Sequence, residues 1–141
     1  MTYDLSRFIK AQEIQYDTAL EEIKAGHKQS HWIWFVFPQL KDLGHSPNAK
    51  YYGIENLTEA RDYLANTTLR SRLLEISQAI LDLREQEISI IMDYPDNLKL
   101  CSSMTLFHLA EPTCDVFQRV LDKYFDGEPD KKTMALCKKG D

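Results

Sequence analysis

The chain reads as all-α, a single domain over residues 1–141 with about seven short helices in an orthogonal arrangement and little or no strand. Three observations predict this. Apolar residues recur at three-and-four spacing from residue 4 to 25 and again from 58 to 125. Gly26, Pro38 and Gly127 stand where such runs end, and no Asn-Gly dipeptide signals a hairpin. The length suits one domain with a real hydrophobic core.

The elements follow in order. Leu5, Phe8, Ile9, Tyr16, Ala19, Leu20 and Ile23 form one face of a first helix over residues 4–25, and Gly26 stops it. Trp32 to Phe37 has no polar face. A short helix is expected there, capped by Ser30 and ended by Pro38. Gly44 to Asn48 is a loop by composition. Thr58–Ala65 and Leu69–Leu83 are helices divided by Asn66, Thr67 and Thr68, which suit a turn and a new cap. After the short apolar run Glu87–Met92, Asp93-Tyr94-Pro95-Asp96 breaks the chain, with Asp93 expected at the start of the next helix. That helix, over 96–109, would align Leu98, Cys101, Met104, Thr105 and His108. Pro112 and Thr113 introduce another, carrying Val116, Phe117, Val120, Leu121 and Tyr124, and Asp130 caps a last short helix ending near Lys138 and Lys139.

Bulk properties narrow the function classes. With 43% hydrophobic and 28% charged residues the chain is an ordinary globular protein. A net charge of −5 and a pI near 5.4 argue against generic nucleic-acid binding, which needs a basic face. Met1-Thr2-Tyr3-Asp4 opens no secretory leader, and the longest apolar run, Trp32 to Pro38, is far short of the roughly 20 residues of a membrane span. Cys101, Cys114 and Cys137 are scattered and odd in number, as expected of reduced thiols in a cytoplasmic protein.

Two segments carry polar groups with a possible chemistry. In the first, Lys28, Ser30 and the imidazoles of His27 and His31 precede Trp32, Trp34, Phe35 and Phe37, so convergent polar groups adjoin apolar walls as in a small-molecule pocket. The same residues also read as core aromatics after a helix start. In the second, Lys99, Ser102 and Ser103 share a helix face while Thr105 points elsewhere. A lysine and two hydroxyls suit an anion such as phosphate, or a base beside a nucleophile, or simply a solvated face. No Gly-x-Ser-x-Gly elbow or phosphate loop occurs. No metal is expected: position 28 is lysine rather than the glutamate of His-Glu-x-x-His, and the cysteines are widely separated. Glu21-Glu22 and Asp126/Glu128 read as solubility residues on exposed faces or turns.

The chain resembles the family called domain of unknown function 1810 (DUF1810). The resemblance rests on Asp4-Leu5-x-Arg7-Phe8, on Lys28-x-Ser30-His31-Trp32-x-Trp34-Phe35-x-Phe37-Pro38-Gln39-Leu40, on Tyr52-Gly53-Ile54, and on Asp96-x-x-Lys99-Leu100-x-Ser102-Ser103-Met104-Thr105-Leu106-Phe107. It implies a mainly helical fold and no particular activity. The motif positions include Lys28, Ser30, His31, Trp32, Lys99, Ser102, Ser103 and Thr105, polar choices that set a pocket level with the core reading.

Two functions are therefore expected in competition. One is a pocket for a small anionic ligand, phosphorylated or nucleotide-like, with or without catalysis. Lys28 and Lys99 would neutralise its charge, Ser30, Ser102, Ser103 and Thr105 would orient it, and Trp32 or Trp34 would stack on a ring. His31, with Lys99, would be the catalytic candidate, because an imidazole titrates near neutrality. The other is a non-catalytic protein–protein interaction domain. Two lysines brought together repel, and an anion between them would remove the penalty.

Overall fold

The computed structural model describes residues 3–140; Met1 and Thr2, on which the leader-free reading begins, and Asp141 lie outside the described residues. Among the described residues there are nine α-helices and no strand: α1 (Ser6–Lys24), α2 (Ile33–Val36), α3 (Pro47–Tyr51), α4 (Leu57–Ala65), α5 (Thr67–Leu81), α6 (Ile88–Ile91), α7 (Asp96–Ala110), α8 (Val116–Tyr124) and α9 (Lys131–Gly140). The all-α class is as the periodicity predicts, with two more helices than expected. One of these, α3, falls partly in the segment read as a loop. Ser46 accepts the amide of Ala49 and Pro47 occupies the first turn, so the loop composition is itself a helix start.

Side-chain caps set several boundaries. Asn56 caps α4, Asn66 caps α5 through the amide of Leu69, and Asp130 caps α9 through the amide and hydroxyl of Thr133. Asn66 also ends α4, its own amide reaching the carbonyls of Asp62 and Tyr63. One residue therefore closes one helix with its backbone amide and opens the next with its side chain. Thr67 and Thr68, expected in the turn, are already helical. Gly26 ends α1 at φ +86°, a left-handed conformation that costs glycine nothing. Lys123 on α8 donates to the carbonyls of Leu81 and Leu83, closing the C-terminal end of α5.

Helix α7 sits at the centre, packed against α4 and α8 and touched by α2, α6 and α9. Its Leu100, Ser103, Met104, Leu106 and Phe107 are all fully or almost fully buried, so most of its circumference is interior. The single apolar side expected of it is therefore wrong in register: Leu98 is 51% exposed, while Leu106 and Phe107 are inside. Phe107 packs between Tyr63 of α4 and Phe117 of α8 in tilted contacts, with ring centroids 5.0 and 5.9 Å away. α1 packs on α5 and reaches α2 through the buried Gln12, whose amide donates to the Phe35 carbonyl and the Tyr63 hydroxyl.

The stretch after α2 is pinned by an isolated parallel bridge. The Lys41 amide donates to the Ile54 carbonyl and the Ile54 amide to the Gln39 carbonyl, both at 2.9 Å. Gly53 makes this crossing possible, since a Cβ there would lie 2.4 Å from the Lys41 Cα. Arg7 holds the same corner by donating to the Gly53 carbonyl and to the buried Glu59 carboxylate. No helix among the described residues is long and apolar enough to cross a membrane.

Candidate functional site

The site begins at the end of α1, with a residue that the sequence presents as a solubility carboxylate. Glu22 turns inward. One carboxylate oxygen accepts the amides of Gln29 and Ser30 and the indole N–H of Trp32 at 2.8–2.9 Å, and the other accepts the Ser30 hydroxyl at 2.6 Å. Burial alone would raise its pKa, but these hydrogen bonds overcome that and hold it down at about 2. Glu22 thus fixes the loop before α2. Ser30, expected to cap α2, spends its hydroxyl on Glu22 instead, and α2 starts after Trp32 without a side-chain cap.

The loop delivers Lys28 to the start of α7. Its amide donates to the Ile91 carbonyl at 2.7 Å, and its ammonium lies 2.5 Å from the Ser30 carbonyl, 2.7 Å from Asp96 Oδ2 and 4.8 Å above the Trp32 ring. Only 6% of the Lys28 side chain is exposed. The other oxygen of Asp96 faces Lys99 Nζ at 3.7 Å, and that ammonium lies 5.1 Å from the centre of the Trp34 ring. Asp96 is therefore the anion between the two lysines that charge repulsion calls for, supplied by the chain itself.

Around this pair opens a cleft of about 350 Å³. Trp34 and Tyr94 supply aromatic wall, Lys28 and Lys99 the cationic groups, Asp93 and Asp96 the carboxylates, and His31 an exposed imidazole. The Tyr94–Pro95 peptide is cis. Beyond Pro95 and Lys99, which line both spaces, lies a second concavity of about 420 Å³ reaching His45, Ser46, Ser102 and Lys132.

The two polar segments thus meet, and Lys28, His31, Trp34 and Lys99 share one cleft. The remaining candidates are placed differently. Trp32 is fully buried beneath Lys28, as its reading as core has it. Ser30 is tied to Glu22. Ser102 borders the second concavity, but its hydroxyl donates to the Leu98 carbonyl one turn back. Ser103 is wholly buried and its hydroxyl has no partner. Thr105, also buried, donates to the Cys101 carbonyl and accepts the Asp130 amide, which fastens the start of α9 to α7. A solvated face for Ser102 and Ser103 is excluded by this burial. Asp93, expected at the helix start, contributes its backbone carbonyl to the amides of Asp96 and Asn97.

Glu22, Asp96 and Tyr94 are the residues that sequence reasoning passed over. Asp96 carried a faint signal, an acid in the first turn of a helix; Glu22 had none, its partners being set by the return of the loop. Cys101, on α7, has its thiol pushed up to about 11 by burial and by the nearby Asp130. Cys114 is half-buried and Cys137 buried. Among the described residues no three His, Cys, Asp or Glu side chains cluster as metal ligands.

A family model described as "Protein of unknown function (DUF1810)" matches residues 2–137. No curated protein matches the chain. Among solved structures, the chain is similar to the crystal structure, at 1.38 Å, of the conserved hypothetical protein Rv1873 from Mycobacterium tuberculosis. The two are 46% identical over 96% of this chain and 97% of the other, with a TM-score of 0.95.

Proposed function

Because this chain belongs to the DUF1810 family of proteins of unknown function, we propose its role from the cleft: it binds a small anionic ligand that carries a flat ring, a phosphorylated or nucleotide-like compound. The observation that carries this reading is the placement of Lys99. Its ammonium rests against the Trp34 face at 5.1 Å, and its contact to Asp96 is long at 3.7 Å, so it can turn to a ligand without abandoning a short ion pair. Lys28 is the opposite case. It is bound on two sides at 2.5 and 2.7 Å and serves to hold Asp96 and the loop in place. Trp34 and Tyr94 offer the apolar surface for a ring. His31 is the candidate acid or base should the bound ligand react, with Lys99 lining the same cleft.

A thermal-shift and calorimetric titration with inorganic phosphate and adenosine monophosphate tests the reading. Ligand at a hundredfold excess over Kd stabilises a native protein by about 2.7 kcal/mol. The wild type should gain stability accordingly, and Lys99→Ala should lose the gain while keeping its helical circular dichroism. No gain in the wild type, or an equal gain in Lys99→Ala, overturns the proposal.

A second reading, a protein-interaction surface without catalysis, draws on one observation. Tyr94 is 77% and Leu98 51% exposed beside the cleft, apolar surface that a partner chain would cover. Tyr94→Ser with Leu98→Ser would then abolish partner capture while Lys99→Ala would not.

A further inference from the structure

The cleft beside Trp34 and the concavity beside Ser102 are separated by two residues, Pro95 and Lys99, that line both. Their charges differ. In the first, Lys28 and Lys99 face Asp93 and Asp96, and the charges balance. In the second, Lys99 and Lys132 face Asp130 alone, and His45 adds a further imidazole. One oxygen of Asp130 already accepts the Thr133 amide and hydroxyl at 2.9 and 2.6 Å, which turns part of its charge toward α9. The excess of positive charge is thus on the Lys132 side, and the aromatic surface is on the Trp34 side.

Resting on the cleft reading above, we infer that the site is bipartite and that its ligand class is a nucleoside phosphate. The base lies in the compartment of Trp34 and Tyr94, where Asp93 is placed to accept an exocyclic amino group. The phosphate lies in the compartment of Lys132, His45 and Lys99, and Lys99 bridges the two. A phosphate in the first compartment would meet two carboxylates, whereas a base there offers N–H donors to them. The hydroxyl of Ser102 donates to the Leu98 carbonyl but keeps acceptor capacity, so the donors to a phosphate are the ammonium groups and the imidazole.

Adenosine, inorganic phosphate and adenosine monophosphate serve as probes, with amide chemical shifts reporting where each binds. Adenosine monophosphate should bind the wild type at least about tenfold more tightly than either fragment, since one molecule then fills both compartments. Lys132→Ala should weaken adenosine monophosphate and phosphate by roughly tenfold and spare adenosine, as for loss of a charge-assisted contact. Tyr94→Ser should weaken adenosine and adenosine monophosphate by a similar factor and spare phosphate. Both residues are exposed, so neither substitution threatens the fold. If Lys132→Ala leaves adenosine monophosphate binding unchanged while Lys99→Ala weakens it, the phosphate sits in the first cleft; the bipartite site is then wrong and the cleft reading survives. If adenosine monophosphate binds no more tightly than phosphate, the base compartment is wrong. If the wild type binds none of the three, both proposals fall.

Discussion

Glu22 concentrates more of the local structure than any apolar residue near it. Four donors converge on one carboxylate, and an amide in its place would direct an N–H at groups that are themselves donors. Glu22→Gln should cost roughly 1–3 kcal/mol at neutral pH by denaturant unfolding. The folded-state pKa of about 2 lies below the ordinary 4.5, so the stabilising contribution is present above pH 4.5 and is lost as pH falls toward 2. The gap in stability between wild type and Glu22→Gln should therefore narrow across that window. A constant gap would show that the charge is irrelevant. The Lys28–Asp96 pair makes a second case. Asp96→Asn strands a buried ammonium and should destabilise by roughly 3 kcal/mol, whereas Lys28→Met combined with Asp96→Asn should recover most of the loss. Failure of the double variant to recover would point to the helix start rather than the ion pair. Ser103 has an interior hydroxyl with no partner, and Ser103→Ala should be neutral or stabilising by up to about 1 kcal/mol.

Helices here are short, and their ends matter in proportion. Asn66 terminates α4 and caps α5, so Asn66→Ala should cost about 1 kcal/mol in a chemical melt and leave ligand affinity untouched. A much smaller loss would mean that the junction is held by the packing of α4 and α5 alone. The same logic explains α3, which exists because Ser46 and Pro47 prepare its first turn. α2 and α6 have no side-chain caps and last one turn each; tertiary burial of Ile33, Phe35, Val36 and Ile91 holds them. These two fragments bring the aromatic loop and the start of α7 together, through the Lys28 amide on the Ile91 carbonyl. The cleft is thus built from the elements with the least intrinsic helical stability.

Across the whole molecule, the three-ring cluster of Tyr63, Phe107 and Phe117 joins α4, α7 and α8 at the centre. Phe107 is wholly buried, and Phe107→Ala should cost about 3–5 kcal/mol through lost transfer energy and a residual cavity. Calorimetric unfolding should still show one transition, shifted to lower temperature; two transitions would mean that the helices on either side of the ring cluster unfold separately. Because the cleft lies at the start of α7 rather than at this ring cluster, substitutions such as Lys99→Ala and Lys132→Ala should leave that transition in place. Stability and binding can then be measured apart.

Much of the architecture was written in local spacing. Phe8, Tyr16, Ala19 and Ile23 on α1, or Val116, Phe117, Val120 and Leu121 on α8, announce a helix face because side chains three and four apart must lie together. Gly26, Asn66 and Asp130 mark ends for equally local reasons, a left-handed turn or a carboxamide or carboxylate oxygen within reach of a backbone amide. The lysines, the indoles and His31 could be picked out as chemistry from residue type. Which of them face a common space was beyond local rules. Lys28 meets Asp96, and Glu22 meets Trp32, only after loops have returned across the fold. Whether Ser103 is interior or solvated depends on helices that arrive from elsewhere to cover α7. A helix dictates its own periodicity through short-range sterics and hydrogen bonds, but its surroundings come from contacts between distant segments. Those contacts leave no spacing to read along the chain.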